Sequence, residues 1–373
     1  MVNKKIGITG HNGFLGYYLK NTIRYNFPDN KIIDFERSFF QNKEKMSNFV
    51  RSSDVIIHLA GLNRHNSQDE IKKTNIEIAK NLSISLTENN FKGLLIYSSS
   101  LQENNNTPYG ISKREAGEIF NITAKKVGFS LTILILPNIF GPYCKPNYNS
   151  FISTFSHQLI NGNSQEIIKD QSVPLIYVES AVSFILSKIN SNGIFKIKIP
   201  HECEKKVSQV LSQLKDFYKI YFEQGNIPKL QGTYEIQLFN TFRAAIDSSN
   251  FFPKPYNLHK DERGYFSELI RTHSQGQQSY SVTKPGVTRG NHFHKRKIER
   301  FSVIQGEAKI KLRRIGSSKQ IEFKLSGKEP SYIDIPVWTT HNIKNIGRNN
   351  LITIFWINEH YDTNDPDVYF EKV

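Results

Sequence analysis

The sequence predicts two domains: an open α/β sheet first, then an all-β sandwich or barrel. Three observations carry this. A chain of 373 residues is long for one ordinary core. Its first half alternates short apolar runs with amphipathic stretches. After about residue 250 the runs become short strands separated by Gly, Pro, Ser and Asn turns. A hydrophobic content of 38% with 12% aromatic residues is enough to fold and argues against disorder.

In chain order, "KKIGITG" is a strand that passes into the helical "GFLGYYLKNTIRYN". "NKIIDFER", "DVIIHLAG", "GLLIYSSS" and "SLTILILPNIFG" are further strands. "DEIKKTNIEIAKNLSISLTENN" is one of the amphipathic stretches between them. Apolar strands alternating with helices predict a parallel sheet covered on both faces. "SSNFFPKPYN", residues 248 to 257, is the expected linker, which sets the domains at 1–247 and 248–373. "YFSELIRT", "QSYSVTK", "RFSVIQGEAKIKLRRI", "QIEFKL", "SYIDIP" and "LITIFWIN" supply the β half.

The formal charge is +15. Its lysines are spread along the chain with no basic stripe among aromatics, so a nucleic-acid partner is not expected. The charge modestly attracts anionic nucleotide ligands. The two cysteines, Cys144 and Cys203, lie far apart, as in a reducing compartment. No apolar stretch precedes the first strand, and "LTILILP" is too short to cross a bilayer. A soluble cytoplasmic chain with no membrane partner is the expectation.

Gly10, Gly13 and Gly16 form G-x-x-G-x-x-G between a strand and a helix, and with Phe14 they are the expected cofactor-binding residues of the loop. The spacing suits a dinucleotide pyrophosphate at the helix N-terminus, the signature of a Rossmann-type domain. Downstream, Ser100 ends a strand, and Tyr109 and Lys113 stand four apart on one helix face. A lysine beside a phenol is expected to lower the tyrosine pKa. The three can pass a proton to a carbonyl as hydride arrives from a nicotinamide. After the second strand, "DFERS" offers Asp34 and Glu36, which suit NAD, and Arg37, which suits the 2′-phosphate of NADP. Arg37 makes NADPH the expected cofactor.

In the β half, "PGVTRGNHFHKRKIERFSVIQG" carries His292, His294 and Glu299, and "PVWTTHNIKN" carries His341. His292 and His294 share a strand face, and Glu299 and His341 are expected from neighbouring strands. Three imidazoles and a carboxylate suit a divalent first-row metal: Zn first, with Fe, Mn and Ni also possible.

On these motifs, residues 1 to about 245 resemble the extended short-chain dehydrogenase/reductases (SDR) that act on nucleotide sugars. "DVIIHLAGLNR", Asn75 and "PNIFGP" extend the match. The resemblance implies that His58, Leu59, Ala60 and Gly61 border the cofactor, that Lys113 contacts it, and that Asn138 contacts the sugar nucleotide. Ile135 stands where that family usually has arginine. The histidine–glutamate spacing is similar to the two motifs of the cupin jelly roll, with Trp338 in place of a usual glycine. "DERGYFSEL" is similar to the first segment of nucleotide-sugar 3,5-epimerases, which implies that Arg263, Phe266 and Glu268 hold the nucleotide, and "TRGNH" extends the match, which implies that Arg289 also binds the substrate. Those epimerases use a free histidine at the position of His292 as base, whereas a metal-bound imidazole cannot abstract a proton. Either the metal is absent in the working state or it replaces the base.

As a whole the chain resembles the bifunctional SDR–cupin enzymes of UDP-N-acetyl-L-fucosamine biosynthesis. That resemblance implies C3 epimerisation of a UDP-2-acetamido-2,6-dideoxy-4-keto-hexose in the cupin domain. C4 reduction with NADPH in the SDR domain then gives the UDP-2-acetamido-2,6-dideoxy-L-talose used for capsule or O-antigen. The alternative is a reductase whose metal cupin is structural and dimerising. By analogy a homodimer through the cupin domain is expected.

Overall fold

The structure, a computed structural model, describes residues 3–262 and 264–373, the side chains of 264–266 excepted. It comprises two compact units. One gathers residues 1–140, 144–151 and 169–207, and the other 141–143, 152–168 and 208–373.

The first unit is a parallel sheet between helices. It runs β1 (Lys5–Thr9), α1 (Phe14–Asn26), β2 (Lys31–Ile33), α2 (Lys43–Arg51), β3 (Val55–His58), α3 (Gln68–Glu88), β4 (Leu94–Ser100), α4 (Pro108–Val127), β5 (Ser130–Leu136) and β6 (Asn138–Phe140). Helix α5 (Phe151–Ile160) belongs to the second unit beyond Phe151. Then come β7 (Ser172–Tyr177), α6 (Val178–Ser187), β8 (Ile194–Lys198) and β9 (Cys203–Lys206). The main sheet has the order β2-β1-β3-β4-β5-β8, and every neighbour is parallel. Strand order reverses at β1, so a crevice opens beyond the carboxyl ends of β1 and β3, where such folds bind ligands. Strand β6 pairs parallel with β7, and β9 pairs antiparallel with it, in a smaller sheet.

Burial explains the unbroken apolar runs. All four residues of β3 and six of the seven in β4 are buried. Met46, Phe49, Leu82, Leu86, Ala116 and Phe120 close over Ile56, Leu95 and Leu131 in one core cluster. Helix α4 starts where Thr107 accepts from Gly110 N at 3.1 Å with Pro108 next. It stops at Gly128, whose φ of +83° few other residues would adopt.

The second unit opens with helices α7 (Val207–Phe217) and α8 (Thr233–Arg243). Two five-stranded antiparallel sheets follow. The strands are β10 (Lys254–Pro255), β11 (His259–Asp261), β12 (Gly264–Phe266), β13 (Gln277–Thr283), β14 (Thr288–Phe293), β15 (Glu299–Gln305), β16 (Glu307–Arg314), β17 (Gln320–Ser326), β18 (Ser331–Ile335), β19 (Thr339–Asn345), β20 (Leu351–Ile357) and β21 (Tyr369–Phe370). One sheet has the order β10-β18-β15-β20-β13 and the other β17-β16-β19-β14-β21, while β11 and β12 form a separate hairpin. Val303, Ala308, Ile310, Leu312, Ile333 and Leu351 belong to one apolar cluster drawn from both sheets. The chain is thus an N-terminal Rossmann-type domain followed by a C-terminal all-β jelly roll. Among the described residues no helix is long and apolar enough to cross a membrane, and neither Cys144 nor Cys203 is in a disulfide.

Candidate functional site

The glycine loop joins β1 to α1 at the mouth of the crevice. Gly10 has φ +77°, and a Cβ there would meet Ala60 N at 2.8 Å. A Cβ on Gly16 would overlap the carbonyl oxygen of Gly10. Gly13 N donates to Gly10 O at 2.9 Å, and Tyr17 N to Gly13 O at 2.8 Å, so the turn passes directly into the helix. Gly13 itself is exposed and Phe14 half-buried. A bare backbone facing solvent at a helix N-terminus is what a pyrophosphate requires.

The end of β3 packs against that loop. Leu59 N donates to Thr9 O at 3.1 Å, and Ala60 N to Thr9 Oγ1 at 3.3 Å. His58 is enclosed instead: its Nδ1 lies 2.7 Å from Thr9 Oγ1, and its ring stacks on Tyr97 at 5.8 Å. Burial, helped by the charge of Lys113, pushes His58 down to about 3. It is a neutral structural histidine rather than a group lining the crevice.

Ser100 ends β4, and Tyr109 and Lys113 lie in the first two turns of α4. The Ser100 hydroxyl faces the Tyr109 phenol and works to lower its pKa, and it accepts from Gln102 N at 3.2 Å. Lys113 Nζ donates to Ser98 O at 2.9 Å and lies 5.8 Å from the Tyr109 ring centre. Asn75 ties the post-β3 loop to this helix. It accepts from Leu62 N at 2.6 Å and donates to Ser112 Oγ at 3.0 Å, and Ser112 donates to Tyr109 O at 2.7 Å. The expected lowering of the phenol does not occur. Burial pushes Tyr109 up to about 12, against the Ser100 hydrogen bond that lowers it. Lys113 is itself buried and falls to about 8. At neutral pH the phenol therefore holds its proton and can act as an acid.

Arg37 is exposed just after β2, at the start of a 3₁₀ turn, with Asp34 and Glu36 also exposed. Asn138 is exposed at the start of β6, and Ile135 pairs with Ser99 across β5 and β4.

In the second unit His292, His294, Glu299 and His341 converge, with one donor atom from each within 4.8 Å of the others. His292 and His341 pair across β14 and β19. Glu299 comes from β15 of the other sheet rather than from an adjacent strand, and His294 from the loop between β14 and β15. A bulge between Gly290 and His292 aims the His292 ring inward. Gly290 has φ +95°, and a Cβ there would meet His341 O at 2.8 Å. Trp338 adopts φ +56° in the turn before β19. It is fully buried, and its backbone N–H donates to His294 O at 2.7 Å, so packing holds an indole where glycine is usual.

Glu299 Oε2 lies 2.9 Å from His294 Nε2 and 3.3 Å from His341 Nε2. All three atoms are buried without a hydrogen-bond partner. Burial pushes His341 down to about 3 and lowers His292. Burial also works against His294, yet Glu299 beside it holds that ring above its usual value. Burial would raise Glu299, but the imidazoles outweigh it and bring the carboxyl to about 2. A carboxylate and three imidazoles, with buried ligand atoms left without hydrogen-bond partners, fit a divalent cation that would take the place of a proton on His294.

The remaining expected residues lie apart from this cluster or outside the description. Glu268 is exposed and holds Arg271 through two contacts, at 3.1 and 2.8 Å. Arg289 is exposed on β14 and donates to Thr283 Oγ1 at 3.1 Å. Arg263 and the side chain of Phe266 lie outside the described residues. Sequence reasoning missed Asp367, whose carbonyl oxygen is 2.5 Å from His294 Nδ1. The closing "DPDVYFEKV" was the one signal of it.

Comparison with known proteins agrees with this architecture. Residues 6–197 match the NAD dependent epimerase/dehydratase family, and residues 259–369 the polysaccharide biosynthesis C-terminal domain. A Pseudomonas aeruginosa protein named UDP-2-acetamido-2,6-beta-L-arabino-hexul-4-ose reductase is 30% identical over 371 residues, 98% of each chain. The capsular polysaccharide assembling protein CapF of Staphylococcus aureus is 32% identical, with 99% of this chain and 100% of that one covered at a TM-score of 0.61. RMD from Pseudomonas aeruginosa shares the N-terminal fold at 18% identity, over 58% of this chain and 83% of that one, with a TM-score of 0.53. The chain belongs to the NAD dependent epimerase/dehydratase family, in the CapF-type branch that adds a polysaccharide biosynthesis C-terminal domain.

Proposed function

We propose that this chain is a bifunctional nucleotide-sugar enzyme. Its C-terminal cupin domain inverts C3 of a UDP-2-acetamido-2,6-dideoxy-4-keto-hexose. Its N-terminal domain reduces the C4 ketone, giving UDP-2-acetamido-2,6-dideoxy-L-talose for capsule or O-antigen synthesis. The cupin domain is residues 248–373, inside a compact unit that also takes in residues 208–247; the enzyme works in the cytoplasm, and the cupin domain forms the homodimer. The reductase name of the Pseudomonas relative supports the substrate class.

One observation carries the reading: Ser100 at the end of β4 meets Tyr109 and Lys113 of α4, with Lys113 Nζ 5.8 Å from the Tyr109 ring centre, and burial keeps the phenol protonated. Gly10, Gly13, Phe14, Gly16, Leu59, Ala60 and Lys113 would hold the nicotinamide dinucleotide, with Arg37 on a 2′-phosphate. When bound, NADPH supplies the hydride. Tyr109 gives its proton to the ketone oxygen, which Ser100 orients by a second hydrogen bond. The Lys113 ammonium stabilises the phenolate left behind, which is then reprotonated from solvent. Asn138 binds the nucleotide sugar in this domain, as do Arg263, Phe266, Glu268 and Arg289 in the other.

His292, His294, Glu299 and His341 would hold a divalent ion, zinc by donor set. Bound there, it would polarise the C4 carbonyl or acidify a water, easing loss of the C3 proton.

The test uses the full chain with a UDP-linked 4-ulose and NADPH or NADH in turn, the product being read by NMR. The expected result is a C3-inverted, C4-reduced sugar with NADPH preferred. No oxidation of reduced nicotinamide, with or without metal, overturns the assignment. Reduction without C3 inversion points to a structural cupin.

A further inference from the structure

The segment after β20 returns along the histidine–glutamate cluster. Strand β21 pairs with β14 at His292↔Phe370 and Phe293↔Tyr369, and Glu371 N donates to Asn291 O at 2.9 Å. Asp367 is 4% exposed and takes φ +42°, a left-handed conformation that Asp tolerates better than most residues. Its carboxylate accepts three successive backbone N–H groups: Lys295 at 3.1 Å, Arg296 at 3.0 Å and Lys297 at 3.1 Å. Consecutive N–H groups turned to one side form an anion nest. The loop so gripped joins His294 to Glu299.

The grip extends further. Lys297 Nζ donates to Pro366 O at 2.6 Å. Arg296 reaches Glu359 and Asp365 at 3.0–3.2 Å. The carbonyl of Asp367 faces His294 Nδ1 at 2.5 Å. A carbonyl can only accept, so Nδ1 donates to it, and Nε2 is the ring atom turned towards Glu299 and offered to a metal. Fixing the tautomer and orientation of a ligating histidine is the usual task of groups behind a metal site.

We propose that Asp367 is a positioning residue for the metal centre. Its carboxylate locks the 295–297 loop, and its carbonyl sets His294 with Nε2 free to ligate. The inference rests on the reading of the four-residue cluster as a metal site.

The test measures zinc affinity of the full-length chain by competition with a chromophoric chelator. The variants are Asp367→Gly, which tolerates the backbone angle, and Asp367→Asn, which keeps an acceptor; His294→Ala is the reference. Asp367→Gly should bind zinc roughly 10- to 100-fold more weakly, and Asp367→Asn should lose less. Metal-free Asp367→Gly should also be cut faster by trypsin at Arg296 and Lys297.

If Asp367→Gly binds zinc as wild type does while His294→Ala does not, Asp367 does not position His294. Unchanged trypsin cleavage refutes the lock on the loop. If wild type and His294→Ala bind zinc equally, the metal reading itself fails and the inference falls with it.

Discussion

Lys113 is a buried cation whose cost can be worked out. Burial moves its pKa from 10.5 to about 8. At about 1.36 kcal/mol per unit, the ammonium is disfavoured in the fold by roughly 3 kcal/mol. Lys113→Met keeps the length of the side chain and removes the charge. It also removes the bond to Ser98 O, worth about 1 kcal/mol net. The variant should therefore be more stable than wild type by about 2 kcal/mol at neutral pH, and should lose at least about 10²-fold in reductase turnover.

The pH dependence has a definite sign. Below about pH 8 both folded and unfolded chains carry the proton, and the penalty is fully present. As pH rises from about 8 towards 10.5 the folded chain gives up the proton first, and the penalty is relieved. The gap between variant and wild type should narrow over that window. Urea unfolding of the first unit at several pH values measures it. A variant less stable than wild type, or a gap that does not change with pH, refutes the reasoning.

Tyr109→Phe should lower kcat for ketone reduction by about 10²- to 10⁴-fold while KM changes little and deuterium exchange at C3 persists. Steady-state oxidation of NADPH and NMR of the sugar check these outcomes. His341→Ala should abolish both bound zinc, measured by metal analysis, and C3 exchange. Arg37→Ala should raise KM for NADPH by roughly 10-fold or more, one charge-assisted contact being lost, and leave KM for NADH nearly unchanged. His58 stays neutral in the fold down to about pH 3, whereas its ordinary value is 6.5. Only the unfolded chain takes up that proton as pH falls, so stability is lost on acidification. From pH 7 to about 4.5 the loss is roughly 3 kcal/mol, and a His58→Asn variant should show less of it in urea titrations.

The parts of the site that follow from local rules were legible in the sequence. Gly10 and Gly16 announce a turn because any side chain there strikes neighbouring backbone. Tyr109 and Lys113 share a helix face because four residues make about one turn. The strands of the parallel sheet read as unbroken apolar runs because both faces are covered. What depends on three-dimensional surroundings was not legible. Spacing alone said that Lys113 would lower Tyr109, but enclosure of the phenol reverses the sign. His58 looked like a neighbour of the cofactor, yet its side chain turns to Thr9 and Tyr97. Glu299 was assigned to an adjacent strand, and only the sheet order puts it opposite. Asp367 meets His294 across 73 positions of chain, a closure that no local pattern encodes.

The ligand cluster draws on both layers of the jelly roll, His292 and His341 from one and Glu299 from the other. The proposed ion, seated there, would clasp the two layers, and its binding energy would become resistance to melting. Free ion at about a hundred times its dissociation constant would add roughly 2.7 kcal/mol. On that proposal heat tolerance of the C-terminal half would follow metal supply, and a chelator would loosen that half.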